Sequence, residues 1–256
     1  MMSLLCIDIG NTRLHLGRVE GENVSRTEDL PTLELARLLP ERLTAGDFEG
    51  VAYCSVVPTA TAELETCLRE AGVTAAVRLD HACCPGLSIS YPNPPEVGPD
   101  RLANGIGAQV VCGAPAIVID TGTATTFDLV TRAEGYIGGI IAPGPAMMTK
   151  YLHEKTALLP ELSLEELKDP GRIGRSTRDA MKLGCVVGYG GMIRALLARS
   201  REEFAARGEE PPPVLATGGG TVVWHGQSDE PIDYIPHLSL LGLAEAWRRA
   251  TGRGGR

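Results

Sequence analysis

The chain has 256 residues, 43% of them hydrophobic and 22% charged, which is the composition of a globular protein with a substantial core. Its net charge of −8 argues against nucleic-acid binding, because a phosphate backbone requires a basic face. The seven cysteines lack paired spacing and no segment has the pattern of a signal peptide or of a membrane span, so we expect a cytoplasmic protein that does not bind membranes.

The first residues predict a strand, a tight turn and a second strand. Residues 5–9 are apolar apart from Asp8 and indicate a buried strand, and residues 10–12 form a turn of glycine, asparagine and threonine. Residues 13–16 then alternate polar and apolar side chains, which is the period of a half-buried strand. This segment is therefore expected to be a hairpin that opens with Asp-x-Gly.

The same pattern returns in the middle of the chain. Residues 118–125 again place an apolar strand before an Asp-x-Gly turn, formed here by Asp120 and Gly122, and residues 126–130 continue as a strand. Two such hairpins at the heads of two halves indicate a duplicated architecture.

The remaining elements alternate between helices and strands. In the first half we predict a helix over 33–43, a strand over 51–57, a helix capped by Thr59 and running to Leu68, a strand over 76–79, and a helix from Pro99 to about Val111. In the second half we predict a strand and turn over 135–144, a helix from Pro145, a long helix from the Ser176–Asp179 capping box toward Ala206, a strand over 214–216, and a helix over 238–251. The glycines of the long helix are expected to bend or break it. This alternation predicts an α/β fold.

The two Asp-x-Gly turns suit phosphate binding. Glycine lets backbone N–H groups approach a phosphate closely, and an aspartate beside the turn can hold Mg²⁺. The alternative is that Asp8 and Asp120 only bond the local backbone of their turns. A later triplet, residues 218–220, lacks the lysine of a P-loop and the spacing of a dinucleotide fingerprint, so we expect it to pass under an adenine or ribose.

The segment Gly98-Pro99-Asp100-Arg101 lies at the start of a predicted helix. Asp100 in the first turn is stabilised by the helix dipole, which explains the residue without any function. Alternatively, Asp100 accepts the proton of a substrate hydroxyl while Arg101 binds a carboxylate through its two-pronged guanidinium.

Taken together, these segments resemble the type III pantothenate kinases, within the actin-like ATPase and sugar kinase superfold. The matching motifs follow the family's order over nearly the whole chain: residues 8–17, 98–101, 120–128, 138–144, Thr156 with its following Leu-Pro, 174–177 and 217–219. The resemblance implies two related ribonuclease H-like domains, over residues 1–114 and 115–256, with the active site in the cleft between them. It also implies a homodimer that phosphorylates pantothenate with ATP in the first step of coenzyme A biosynthesis.

The resemblance further assigns roles to individual residues. Asp100 would be the catalytic proton acceptor, and pantothenate would be bound by Tyr91, Gly98, Pro99, Asp100, Arg101 and Thr177. ATP would be bound by Asp8, Ile9, Gly10, Asn11, Thr12, Arg13, Leu14, His15 and Thr123, with Mg²⁺ at Asp8 through the phosphates. Asp120, which the residues alone suggest as a second magnesium ligand, would instead bind a monovalent cation, K⁺ or NH₄⁺.

Two other functions remain open at this point. One is a different phosphotransferase or phosphohydrolase of the same superfold, although a neutral sugar would not require Arg101. The other is a noncatalytic regulator, because relatives of the family are linked to transcriptional control. The acidic charge balance and the retained Asp8, Asp100 and Asp120 count against a regulator.

Overall fold

The computed structural model describes residues 3–44, 47–228 and 230–253. Over these residues the strands are β1 (Leu4–Ile9), β2 (Arg13–Glu20), β3 (Asn23–Pro31), β4 (Gly50–Ser55), β5 (Ala76–Arg78), β6 (Ala116–Thr121), β7 (Ala124–Thr131), β8 (Gly135–Pro143), β9 (Val214–Thr217) and β10 (Asp233–Tyr234). The helices are α1 (Leu35–Thr44), α2 (Pro58–Glu70), α3 (Pro99–Val111), α4 (Pro145–Glu154), α5 (Thr177–Ala206) and α6 (Leu238–Thr251). The predicted α/β class is confirmed.

The chain forms two compact units. Unit 1 comprises Met1–Ala114, Arg132–Gly138 and His237–Arg256, and unit 2 comprises Pro115–Thr131 and Gly139–Pro236. The predicted domains place residues 132–138 and 237–256 in the C-terminal half, whereas the contacts of these segments place them in unit 1. Helix α6 thus belongs to the same unit as the N-terminal strands.

The two sheets have the same arrangement of strands. One has the order β3-β2-β1-β4-β5 and the other the order β10-β9-β6-β7-β8. In each, the first strand in sequence pairs antiparallel with its hairpin partner on one side and parallel with a later strand on the other. Both predicted hairpins and the predicted duplication are therefore confirmed.

Strand β1 is buried on both faces, which explains its nearly continuous apolar sequence. Because successive side chains point to opposite faces, Leu5, Ile7 and Ile9 share one face, where they pack in a core with residues of α1 and α2. Asp8 points to the other face, where α6 contacts β1, β2 and β4 and α3 contacts β4. The alternation of the strand therefore directs the aspartate toward α3 and α6.

Helices α3 and α6 pack closely because each has a glycine at the contact. A Cβ on Gly107 would lie 2.5 Å from the carbonyl oxygen of Leu238, and a Cβ on Gly242 would collide with the carbonyl oxygen of Ala103. Larger side chains would push the helices apart. This contact fixes the first turn of α6 relative to the helix that begins at Pro99.

Several local predictions are confirmed and two are wrong. Helices α3 and α6 have the predicted limits, and Ser176 caps α5 by accepting a hydrogen bond from the Asp179 N–H over 3.1 Å. Thr59 is not a helix cap, because α2 begins one residue earlier at Pro58 and Val57 occupies the cap position. The predicted turn within residues 135–144 is also wrong, since β8 continues through Gly138 to Pro143.

Helix α5 is unbroken over its 30 residues despite its glycines. Its most apolar window has a mean hydropathy of 1.3, so by length and composition it could cross a membrane, contrary to the sequence expectation. Such a helix is weak evidence for a membrane protein, because the core helices of soluble proteins have the same composition. In this structure 39% of the window is buried.

Candidate active site

The first Asp-x-Gly turn lies where β1 and its parallel neighbour β4 both end. The Gly10 N–H donates to the carbonyl oxygen of Arg13 over 2.9 Å, and a Cβ on Gly10 would lie 3.0 Å from that oxygen. The Thr32 hydroxyl donates to the Gly10 carbonyl over 2.8 Å and holds the turn from the other side. Asn11, Thr12 and Arg13 remain exposed, so their polar groups face solvent at the carboxyl edge of the sheet, where α/β folds bind ligands.

A row of four polar residues crosses the sheet beside this turn. Register places His15 opposite Asp8, Cys54 beside Asp8 on β4, and Asp29 opposite His15 on β3. Residues that are directly paired point to the same face of a sheet, so all four face the side covered by α3 and α6. We call Asp29, His15, Asp8 and Cys54 the polar row.

The Asp8 carboxyl, in the middle of the polar row, has a perturbed pKa. The Cys54 thiol donates to its Oδ1 over 3.3 Å. Burial raises the pKa of the Asp8 carboxyl, the negative charge of Asp100 raises it further, and the Ser239 hydroxyl and the Cys54 thiol lower it. A half-buried carboxylate that senses a second negative charge would be stabilised by a cation.

His15 connects the polar row to α6. Its Nδ1 lies 2.6 Å from Oδ1 of Asp29, and its Nε2 lies 2.7 Å from Nδ1 of His237. The two imidazole rings are nearly parallel, with centroids 4.8 Å apart. Burial and the neighbouring His15 lower the pKa of His237, while Asp29 raises it.

The segment predicted to bind pantothenate forms the start of α3. Gly98 is the cap residue and Pro99 the first helical position, where a missing N–H is no loss. The Asp100 side chain turns back over Gly98, since a Cβ there would lie only 2.5 Å from Asp100 Oδ1. The Arg101 guanidinium lies 5.8 Å from the ring centroid of Tyr136, which is fully buried.

Tyr91 lies on a loop that is bonded to β8. The Ser90 N–H donates to the Tyr136 carbonyl over 2.8 Å, and the Tyr136 N–H donates to the Ser88 carbonyl over 2.9 Å. The Tyr91 ring passes over Gly138, where a Cβ would lie 3.3 Å from the ring and the backbone has φ +121°. Loop and strand thus hold Tyr91 and Tyr136 in one part of unit 1.

In unit 2 the second Asp-x-Gly turn is shorter by one residue. The pairs Ile9–Leu14 and Thr121–Thr125 close the two turns, so four residues separate the first pair and three the second. The Gly122 N–H donates to the Ala124 carbonyl over 2.9 Å. The two turns are related but not equivalent.

Three glycines enclose the second turn. A Cβ on Gly218, whose φ is +85°, would lie 2.5 Å from Asp120 Oδ1 and 2.6 Å from the Thr121 carbonyl oxygen. A Cβ on Gly220 would lie 3.0 Å from that same oxygen, and one on Gly144 would collide with the carbonyl oxygens of the turn. Gly218 therefore packs directly against Asp120, and both Gly218 and Gly220 pack against the Thr121 carbonyl group.

Buried hydroxyl groups stabilise this arrangement. Thr121 and Thr221 donate to the Thr217 carbonyl over 3.0 and 2.7 Å, which joins the turn to β9. On the other side, the hydroxyls of Thr125 and Tyr189 lie 2.6 Å apart, and burial raises the pKa of Tyr189 to about 12. Tyr189 is therefore a neutral hydrogen-bonding group at neutral pH.

The structure distributes the predicted site residues over the two units. Unit 1 contains Tyr91, residues 98–101 and residues 8–15, and unit 2 contains Asp120, Thr123 and Thr177. The side chains of Ile9 and Leu14 are fully buried in the core, so only their backbone groups are available to ATP. Thr123 is exposed, as is Thr177 at the first position of α5. Within the described ranges no three His, Cys, Asp or Glu side chains form a metal-binding cluster.

Sequence reasoning missed several residues that the structure brings to these places. Cys54 bonds Asp8, His237 bonds His15, and Tyr136 packs against Arg101. Ser239 is buried in the first turn of α6, and a polar residue in an otherwise apolar run was the available signal for it. Asp128 on β7 is also fully buried.

Comparison with known structures reveals the fold. The chain aligns with a Campylobacter jejuni protein described as a Baf family transcriptional activator at a TM-score of 0.64 and 17% identity, over 97% of this chain and 99% of that one. It also aligns with a Listeria monocytogenes protein described as an N-acetylmannosamine kinase at a TM-score of 0.58 and 14% identity, over 98% and 100% of the two chains. These alignments show a two-domain fold of the sugar kinase type and confirm the predicted superfold.

Comparison of sequences is informative about the family as well as about the fold. The profile of the family described as type III pantothenate kinase matches residues 4–199. A type III pantothenate kinase of Methylacidiphilum infernorum is 39% identical over 94% of this chain and 86% of its own length. Another, of Streptomyces griseus, is 36% identical over 98% of this chain and 99% of its own length. The chain belongs to the type III pantothenate kinase family.

Proposed function

We propose that this chain is an enzyme that transfers the γ-phosphoryl group of ATP to the hydroxyl of pantothenate, giving 4′-phosphopantothenate for coenzyme A biosynthesis. The observation that carries the proposal is the placement of two carboxylates in unit 1, each beside a segment that suits substrate binding. Asp8 lies near the end of β1, before the exposed turn, and Asp100 lies in the first turn of α3. Membership of the family names the substrate.

Asp100 is proposed as the catalytic residue. Phosphoryl transfer depends mainly on positioning and charge neutralisation, so a carboxylate that accepts a hydrogen bond from the substrate hydroxyl aligns the nucleophile and takes its proton. The cap position of Gly98 leaves room for this side chain. Arg101 would bind the pantothenate carboxylate while its guanidinium lies near Tyr136, with Tyr91 lining the same part of unit 1.

The exposed turn after β1 is proposed to bind the phosphates of ATP. Asn11, Thr12 and Arg13 offer side-chain and backbone donors there, and the half-buried Asp8 carboxylate fits a divalent cation in charge and ligand type. Bound Mg²⁺ would neutralise charge on the phosphates. The residues of this chain would orient the phosphates and hold the Asp8 carboxylate in place.

Unit 2 offers a fit for a monovalent cation. The Asp120 carboxylate lies against Gly218 with the Thr121 carbonyl beside it, and oxygens of one carboxylate and several carbonyls suit a weakly charged ion. Three glycines keep side chains out of this space. We propose that K⁺ or NH₄⁺ binds at Asp120 and that Thr123 contacts ATP.

We propose in addition that the enzyme is a cytoplasmic homodimer that pairs through α4 and α5. Met147, Tyr151 and Val187 are large apolar side chains of these helices with exposed fractions of 47%, 63% and 50%. Added side chains at Gly184 and Gly188 would meet nothing within 4 Å, so a second helix can approach closely. Light scattering after gel filtration should give a dimer for the wild type and for Leu33→Glu, and a monomer for Val187→Glu. A monomeric wild type would refute the dimer.

The decisive experiment measures ADP release with pantothenate, with and without K⁺. We expect pantothenate-dependent turnover, stimulation by K⁺, and a loss of about 100-fold or more in kcat for Asp100→Asn. Asp120→Asn should abolish the stimulation by K⁺. A wild type without pantothenate-dependent turnover would overturn the proposed activity, whereas an active Asp100→Asn would overturn only the role of Asp100.

The same assay separates the second candidate, another phosphotransferase of this superfold. Arg101 favours an acceptor that carries a carboxylate. The enzyme should therefore release little ADP when the acceptor is a neutral sugar or pantothenol, which lacks the carboxylate. Turnover with a sugar in preference to pantothenate would favour that candidate.

A further inference from the structure

The end of β8 and the start of α4 cover the second Asp-x-Gly turn. We call residues 143–145 the β8–α4 junction. The Gly144 N–H donates to the Thr123 carbonyl over 3.0 Å, and a Cβ on Gly144 would collide with the carbonyl oxygens of the turn. Pro145 lies against Gly220, where a Cβ would be 2.9 Å from the proline ring. The junction therefore lies between the turn that presents Thr123 and the glycine triplet.

The Thr125 hydroxyl ties the β8–α4 junction to the rest of unit 2. Thr125 is fully buried, and its Oγ1 donates to the Pro143 carbonyl over 3.2 Å. The same Oγ1 lies 2.6 Å from the hydroxyl oxygen of Tyr189 on α5. A hydroxyl has one hydrogen to donate, so while Thr125 donates to Pro143 the Tyr189 hydroxyl is the donor to Thr125. The three groups form a chain of hydrogen bonds from α5 through β7 to the junction.

Tyr189 can act as this donor at neutral pH. Its side chain is fully buried, and burial raises its pKa to about 12, so the hydroxyl keeps its proton. The buried residues of α5 around it include Cys185, Val186 and Ile193, which are apolar. A phenylalanine would give the same apolar contacts, whereas a buried hydroxyl costs free energy unless it is bonded. The hydroxyl is therefore explained by its bond to Thr125.

We propose that Tyr189 is a positioning residue of the nucleotide site: through Thr125 it fixes the β8–α4 junction, and the junction in turn fixes the backbone of Thr123 for contact with ATP. The inference rests on the proposed role of Thr123 and adds a residue of α5 to it. Tyr189 would not itself touch the nucleotide, since its side chain is fully buried. All of these residues belong to unit 2.

Calorimetric titration of ATP in the presence of Mg²⁺ and K⁺, without pantothenate, tests this inference. Tyr189→Phe removes only the hydroxyl and should raise the Kd for ATP about fivefold, the size expected for one hydrogen bond. Thr125→Val has nearly the same volume but loses both bonds, and it should raise the Kd about 10-fold or more. Thr125→Ser keeps the hydroxyl and should bind ATP within about twofold of the wild type.

Two comparisons separate positioning from stability. In a Thr125→Val background, Tyr189→Phe should change the Kd by less than about twofold, because the chain of hydrogen bonds is already broken. Ser200→Ala is the matched control, since it removes another buried hydroxyl of α5, which donates to the Leu196 carbonyl over 2.9 Å. Ser200 lies about 16 Å along the helix from Tyr189. Its removal should lower Tm about as much as Tyr189→Phe does and leave the Kd for ATP unchanged.

Three results would each overturn the inference: an unchanged Kd in Tyr189→Phe, an equal loss of affinity in Ser200→Ala, or losses in Tyr189→Phe and Thr125→Val that multiply fully. A wild type that does not bind ATP would overturn the inference together with the proposed ATP site. The titration contains no pantothenate, so failure of the proposed kinase activity would appear only in the ADP-release assay.

Discussion

Gly98→Ala should lower the kcat of the enzyme with little effect on its fold. The backbone at Gly98 has φ −58° and ψ 130°, which alanine adopts without strain. The new Cβ would lie 2.5 Å from Asp100 Oδ1, whereas ordinary contacts begin at 3.4 Å, so the carboxylate must move by about 1 Å. A displacement of that size at a reacting group can cost about 100-fold, and we expect kcat to fall between about 10- and 100-fold.

The stability of Gly98→Ala should change by no more than about 1 kcal/mol, since glycine and alanine differ modestly at a helix cap. In a chain of this size that corresponds to about 2–4 °C in Tm. Steady-state ADP release and thermal unfolding measure the two effects. Gly226→Ala is the matched control, because its Cβ would meet nothing within 4 Å. Wild-type kcat in Gly98→Ala would refute the reasoning, as would a loss that multiplies fully with that of Asp100→Asn.

Three further predictions follow from single contacts. Gly218 has φ +85°, and a Cβ there would lie 2.5 Å from Asp120 Oδ1, so Gly218→Ala should lower the free energy of unfolding in urea by about 1–3 kcal/mol and raise the K⁺ concentration for half-maximal activity several-fold. An unchanged K⁺ titration would show that Asp120 does not bind the cation. Burial, and to a lesser extent the neighbouring His15, lowers the pKa of His237, so the unfolded chain binds a proton more readily than the folded one and the wild type loses stability as pH falls below about 6.5. His237→Asn should therefore lower Tm more at pH 7.5 than at pH 5.5, and the opposite order of Tm differences would contradict this. Gly50→Ala would place a Cβ 2.6 Å from the buried Trp247 ring and should cost about 1–3 kcal/mol of unfolding free energy, whereas unchanged urea unfolding would show that the ring can move.

The hairpins and helix starts could be predicted because their causes are local. Residues 5–9 and 118–121 are mainly apolar strands that end in an Asp-x-Gly turn. Each pairs with the strand that follows its turn, so the pairing of both hairpins is specified by residues close in sequence. Pro99 and Ser176 likewise specify the starts of α3 and α5 through their own backbone and side-chain chemistry. The same reasoning failed at Thr59, where Pro58 at the first helical position prevailed over a hydroxyl cap.

The surroundings of Asp8 could not be predicted in this way. Alternation along β1 specifies that Asp8 points away from Ile7 and Ile9, but it does not specify which helix covers that face. The cover comes from α6, which the sequence placed with the second half and the contacts place in unit 1.

By itself, the sequence determined two related Asp-x-Gly hairpins, the position of Asp100 and Arg101 at the start of a helix, and the resemblance that the comparisons confirm. Only the tertiary structure decided that Cys54 bonds Asp8, that His237 meets His15, and that Gly218 packs on Asp120. The physical reason is the range of the forces involved. Hydrogen bonds within a turn act between neighbours in sequence, whereas these contacts depend on the parallel pairing of distant strands and on the close packing of α3 and α6 through two glycines.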